Sequence, residues 1–116
     1  MPLGATHHNW TPEVEATVQQ VLSRFSALTA NTYIDHPWEG WDGLSVDYWG
    51  PGGRGDPIPT DLQWTSARYL LRMPGLPNIR HLITEHSLWT SWGGWSYWRP
   101  KGHAGRLRHV HVTYYP

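Results

Sequence analysis

His109-Val110-His111 lies in the last apolar segment of the chain. Two histidines at i and i+2 on a strand point the same way, about 6–7 Å apart at the backbone. Both imidazoles can then reach one metal ion, or one can hold the ion while the other meets what the ion binds. Asp47 lies in a second alternating stretch, opposite the apolar face that carries Val46. If the two strands are neighbours, Asp47 and the histidines meet on one side of a sheet. His36 ends a preceding stretch and could reach them too. Two histidines and one carboxylate with an open fourth position form a common catalytic zinc set. Water in that position acidifies towards a pKa of ~7. The same residues also suit a plainer role: half-buried histidines bonded to backbone, and Asp47 as a surface or capping carboxylate.

The elements that must position these groups can be read from periodicity and punctuation. Thr11-Pro12-Glu13 opens a helix: threonine caps, proline fits the first helical position, and Glu13 and Glu15 suit the positive end of the dipole. Val14, Val18, Val21, Leu22, Phe25 and Leu28 continue at helical spacing, which predicts a helix over 12–28. Residues 1–10 read as a loose lead-in. Residues 32–36 predict a short strand. In 44–49, Leu44, Val46 and Tyr48 alternate with Ser45, Asp47 and Trp49, again a strand. The glycine- and proline-rich stretch after it is a loop. It contains Arg54-Gly55-Asp56, read here as a tight turn that happens to spell an integrin motif. Gly50–Gly55 matches no phosphate-binding fingerprint.

Thr60 caps a second helix over 61–73, with Leu62, Tyr69, Leu70 and Met73 inward. A strand follows at 79–84. Trp89, Trp92, Trp95 and Trp98 recur at spacings of three, but Gly93-Gly94 between them argues for a hairpin or irregular loop. The final stretch alternates strictly, with Val110, Val112 and Tyr114 on one face and His109, His111 and Thr113 on the other. The order predicts an α+β fold: a small antiparallel sheet with two helices packed on one face.

Composition narrows the chemistry. The 116 residues suit one domain, residues 1–116, with a modest core. There is no cysteine, which excludes disulfides, thiolate metal sites and cysteine nucleophiles. Nine basic residues balance nine acidic ones, so no nucleic-acid or membrane partner is expected. No apolar run is long enough to span a bilayer. The first ten residues lack the basic and apolar regions of a signal peptide. A monomer is expected. Nine tryptophans stand against one phenylalanine. They can serve as core and groove walls, or Trp38, Trp41, Trp92, Trp95 and Trp98 can form a platform for sugar rings, since aromatic faces stack on apolar sugar faces.

The stretch His36-Pro37 … Gly43-Leu44-Ser45-Val46-Asp47, with the closing His109-Val110-His111-Val112, resembles a zinc peptidase superfamily. Its members are the D-Ala-D-Ala carboxypeptidases, the L-alanyl-D-glutamate endopeptidases and the hedgehog signalling domain. That family carries H-x-x-G-x-A-x-D and, near its end, an HxH or a single histidine. One branch ends in DHVHV after a tryptophan-containing strand, where Leu88-Trp89 and Gly94-Trp95 stand here. The resemblance covers most of the chain. It implies a hedgehog-like fold, Zn2+ as cofactor, and His36, Asp47 and His111 as zinc ligands. It implies His109 beside the metal, where it could meet the substrate or the tetrahedral intermediate. The activity implied is hydrolysis of bacterial cell-wall peptide by zinc-bound water attacking a peptide carbonyl. The partner is then cell-wall peptide or peptidoglycan, and the setting is extracytoplasmic or phage-associated.

Three departures accompany the resemblance. The family spaces its histidine and aspartate by seven residues, whereas His36 and Asp47 are eleven apart. Gly40 occupies the usual position, so Trp38–Trp41 reads as an insertion whose tryptophans wall the pocket. Without that insertion the first ligand would be His81, His86 or His103. Ser45 replaces a small alanine and joins Trp38, Trp41 and Trp95 as a candidate substrate contact. Arg108 replaces the acidic general base, and no carboxylate follows Glu85. Glu85, His103, His109, Glu39 and Asp42 are the replacement candidates. Arg108 could instead pair with a substrate carboxylate, although alternation points it away from His109 and His111. The same fold could also act without catalysis, as a module that recognises peptidoglycan or a partner.

Overall fold

The computed structural model describes residues 5–6, 10–32, 43–73, 79–98 and 107–115. The elements run β1 (Ala5–Thr6), α1 (Pro12–Arg24), β2 (Thr29–Asn31), β3 (Ser45–Trp49), α2 (Thr60–Arg72), β4 (Ile79–Glu85), β5 (Ser87–Thr90), β6 (Gly94–Tyr97) and β7 (Leu107–Tyr114). They form one seven-stranded sheet in the order β1-β2-β3-β7-β4-β5-β6. Only the β1–β2 pair is parallel; the other five pairs are antiparallel. The class is α+β.

Helix α1 begins as its sequence dictates. Thr11 accepts a hydrogen bond from the Val14 amide, a proline opens the first turn, and Glu13 and Glu15 lie there too. It stops at Arg24, earlier than the apolar spacing predicts, because Phe25 leaves helical geometry. Leu28 still reaches the core, from a turn in which its amide bonds the Phe25 carbonyl. Strand β2 then lies at 29–31, ahead of the expected 32–36; residues 33–36 lie outside the described residues. Ala30 and Asn31 are poor strand formers, so pairing with β3 decides this element rather than local preference.

The apolar stripes of both helices and the inward residues of the sheet form a single core. Val14, Val18, Val21 and Leu22 from α1 and Ala67 and Leu70 from α2 join Ala30, Val46, Tyr48, Leu82, Val110, Val112 and Tyr114. Both helices therefore cover the same face of the sheet. Helix α2 also buries Gln63 and Ser66, where periodicity alone would place apolar residues. Gln63 is satisfied: its Nε2 donates to the Ile58 carbonyl at 2.8 Å, and its Oε1 accepts from the Thr84 hydroxyl at 2.5 Å. That pair ties α2 to β4.

The lead-in is not loose where it is described. Ala5–Thr6 pairs with β2, and Trp10 is buried at 8 % exposure. Its indole N–H lies 2.7 Å from the Thr32 hydroxyl and 2.9 Å from the Ser45 carbonyl. A flat aromatic with one donor closes the core edge and satisfies backbone there, which a pattern of apolar spacing does not reveal.

The tryptophan segment is the hairpin that Gly93-Gly94 called for. β5 and β6 pair Trp89 with Trp95, and Gly94 adopts φ +68 at the turn. Trp92 stands at the tip, 69 % exposed. The Arg54-Gly55-Asp56 segment is a turn, as read: the Asp56 carboxylate accepts from the Gly52 amide at 2.6 Å and so serves its own loop.

If Trp10 belongs to the core, Trp10→Ala should cost about 3–5 kcal/mol of unfolding free energy, the usual range for emptying a buried aromatic site. Urea denaturation measures it. A loss under about 1 kcal/mol would return residues 1–10 to the status of a loose lead-in.

Candidate functional site

The face of the sheet opposite the helices carries the polar groups. Strand β3 pairs with β7 so that Ser45 faces Thr113, Val46 faces Val112, Asp47 faces His111 and Tyr48 faces Val110. The valines and Tyr48 turn to the core, so Asp47 and His111 must turn away from it together. His109 follows on the same side of β7, and Trp49 on the same side of β3. On the other flank β4 pairs His81 with Thr113 and Ile83 with His111. Asp47, His109 and His111 are each only 8 % exposed.

The three side chains touch. His111 Nδ1 donates to Asp47 Oδ1 at 2.7 Å, and His109 Nε2 lies 3.3 Å from the same oxygen. On the other side of the ring, His111 Nε2 hydrogen-bonds with the Thr113 hydroxyl at 3.2 Å. The His109 ring stacks on Trp49 at 3.8 Å between centroids, and the His81 ring lies 5.6 Å from that of His111. Burial alone would raise the Asp47 pKa. The charge and hydrogen bonds of His111 and His109 outweigh it and hold the carboxyl well below its usual 3.8.

The donor types suit zinc: imidazole nitrogen and carboxylate oxygen, in a niche built by cross-strand neighbours. His109 Nε2 lies 3.3 Å from Asp47 Oδ1, and His109 is not among the ligands that the resemblance implies. The shorter His111–Asp47 contact is a hydrogen bond, of the kind that orients metal-binding histidines. Among the described residues no three histidine or acidic side chains converge on one metal position. Asp47 and His111 are two of the three expected ligands; His36 lies outside the described residues, as do Trp38, Trp41 and His103.

The other candidates scatter. Ser45 is on the site face but 2 % exposed. Arg108 is exposed and lines a cavity of about 250 Å³ with Pro57, Ile58, Pro59, Thr60 and Gln63. That cavity lies at the start of α2, because alternation turns Arg108 to the helix side. Trp95 is on the helix side as well: it pairs with Trp89, which packs on the core, and its ring lies 5.1 Å from Trp64 of α2. It also sits on the third strand beyond β7, about 14 Å across the sheet. Neither joins Asp47. His86 stacks on Tyr97 at the hairpin.

Glu85 differs from these. It is 6 % exposed, and its backbone pairs with Leu107, two residues before His109. It has φ +53, the sole positive φ of a non-glycine among the described residues. Thr84 pairs with Ser87, so Glu85 opens a two-residue hairpin loop, where positive φ is required and glycine or asparagine usually supplies it. A buried acid held in that conformation is a mark of functional sites.

Three residues of the site escape pattern reading as functional groups. Trp49 shares the face of Asp47 by alternation, a signal available but not specific. His81 is legible only as one of several alternative ligands. Asn31, opposite Asp47, stands ahead of the expected strand and carries no signal. No helix among the described residues is long and apolar enough to cross a membrane. Comparison of the chain with protein-family models, curated proteins and solved structures finds no match.

A carboxyl whose pKa folding lowers contributes stability that is whole above its unfolded pKa and lost as the pH falls towards the folded one. Replacing Asp47 by alanine should cost about 3 kcal/mol at pH 7, since it removes the shared acceptor of two buried imidazoles. Asp47→Asn should be less stable than the parent at pH 7, with the gap closing as the pH falls below about 4. Urea midpoints between pH 7 and pH 2.5 measure this. A gap that stays constant into acid would show that the Asp47 charge does not contribute.

Proposed function

We propose that this chain is a zinc-dependent, peptidase-like domain of the hedgehog-like type that acts on bacterial cell-wall peptide. The observation that carries the reading is the buried cross-strand pair of Asp47 and His111, with His109 on the same carboxylate oxygen. These residues belong to the two motifs that resemble the family, and they come from distant parts of the chain. His36, Asp47 and His111 would hold the ion. Zinc, when bound, supplies Lewis acidity for hydrolysis of a peptide bond.

The remaining roles fall to residues of this chain. His109, kept against Asp47 and stacked on Trp49, faces the site and can give or take a proton. Glu85, buried near the same end of β7, is assigned as the general base, in place of the acid that Arg108 displaces. Trp38 and Trp41 would wall the pocket. Arg108 and Trp95 take no part in this reading. The setting proposed is extracytoplasmic or phage-associated.

A second reading rests on the departure at Arg108 and the lack of any carboxylate after Glu85. In it the domain binds peptidoglycan or a partner without cleaving. Metal analysis and peptidoglycan digestion separate the two. The peptidase reading expects one zinc per chain, lost in His36→Ala, Asp47→Ala and His111→Ala, and release of D-alanine or cleaved stem peptide. Glu85→Gln should keep the zinc and slow release about 10²–10⁴-fold, the usual worth of a positioned proton acceptor. Zinc that survives all three alanine changes overturns the ligand assignment. Wall binding with no released fragment selects the binding module.

A further inference from the structure

Asn31 is 1 % exposed, and its amide oxygen finds no hydrogen-bond partner among the described residues. A buried amide left unbonded is costly, and native structures rarely keep one without a use. Its position suggests the use. In the β2–β3 pairing, Asn31 stands directly opposite Asp47. Residues so paired share a face of the sheet, with Cα atoms about 4.5–5.5 Å apart. Asp47 thus has His111 on one side and Asn31 on the other.

The carboxylate is loaded unevenly. Both histidines meet Oδ1, at 2.7 and 3.3 Å. A ligating carboxylate needs a donor on its second oxygen to stay aimed at a metal, and such outer partners are worth 10–100-fold in metal affinity. Near Asp47 the Trp49 indole N–H is also buried without a partner among the described residues, its ring stacked on His109, while two hydroxyls are engaged elsewhere. The Thr29 hydroxyl donates to the Gly50 carbonyl, and the Thr113 hydroxyl is bonded with His111 Nε2. A half-turn of the Asn31 amide exchanges its oxygen for its NH2, and the NH2 is a donor of the kind Oδ2 needs.

We propose that Asn31 is a positioning residue: its side-chain NH2 holds Asp47 Oδ2 and sets the carboxylate for zinc. This rests on the reading of Asp47 and His111 as zinc ligands. In the metal-free protein the amide oxygen is unbonded, a stability cost accepted for the bound state.

The test compares Asn31→Leu, of similar volume without polar atoms, with Asn31→Ser, which keeps a donor. Metal-free melting and zinc affinity by chelator competition are measured on the full chain. Asn31→Leu should melt a few degrees higher than the parent without metal, because the unbonded amide is gone. It should bind zinc 10–100-fold more weakly, with Asn31→Ser in between, and the cobalt-substituted protein should change its visible spectrum. A lower melting point with unchanged zinc affinity would mean that Asn31 is purely structural, and the proposal falls. Equal zinc affinity in all three proteins overturns it as well, and leaves the ligand assignment standing. A parent protein that binds no zinc overturns both.

Discussion

The pairing of β3 with β7 is the constraint on which the molecule depends. Val46 on Val112 and Tyr48 on Val110 place four fully or almost fully buried side chains under the helices. Because strand side chains alternate, the same register turns Asp47 towards His111 on the far face. A slip of one residue would expose the valines and bury the carboxylate beneath the helices. Core packing therefore fixes the site: a displacement of Asp47 from His111 along the strands is opposed by every apolar contact below them.

The two faces have different tasks. The helix face is apolar, with polar groups such as Gln63 and Thr84 satisfied in pairs. The opposite face concentrates imidazole, carboxylate and hydroxyl in rows across four strands, from Asn31 through Asp47 and His111 to Ile83. Proximity of the histidines keeps Asp47 ionised despite burial. Niches of this kind, dry but charged, favour ligand or metal chemistry, because little water competes with the donors.

Strict alternation made the central strands readable. LRHVHVTYY and LSVDYW each state which residues turn inward, and the structure places them so. The start of α1 was equally plain, since Thr11, Pro12 and the glutamates leave little choice; α2 instead takes Thr60 into its first turn, with Pro59 at the cap and no side-chain cap bond, so Thr60 is not the cap expected of it. What failed to read was decided by tertiary contact. Trp10 sits in a stretch without periodicity, and only its fit at the core edge fixes it. Two of the three residues of β2, Ala30 and Asn31, prefer other conformations and pair because β3 is there. Motif position sets Trp95 and Arg108 beside the candidate residues, whereas alternation turns Arg108 to the helix side and pairing with Trp89 places Trp95 there too. Glu85 had only its place as the last acid of the chain, since a positive φ leaves no mark in a residue type that does not favour it.

Strand β7 follows every other strand in the chain yet lies in the middle of the sheet, between β3 and β4. Asp47 and His111 are 64 residues apart. As the chain emerges during synthesis, β3 and β4 appear first and leave a gap that no other strand fills. The sheet therefore joins its two halves only when the last strand arrives, and closing so long a loop is slow compared with forming helices or the β5–β6 hairpin. Formation of this buried cluster and global folding thus become a single event: no partly made chain carries the paired Asp47 and His111, and the cluster comes into being when β7 enters the sheet.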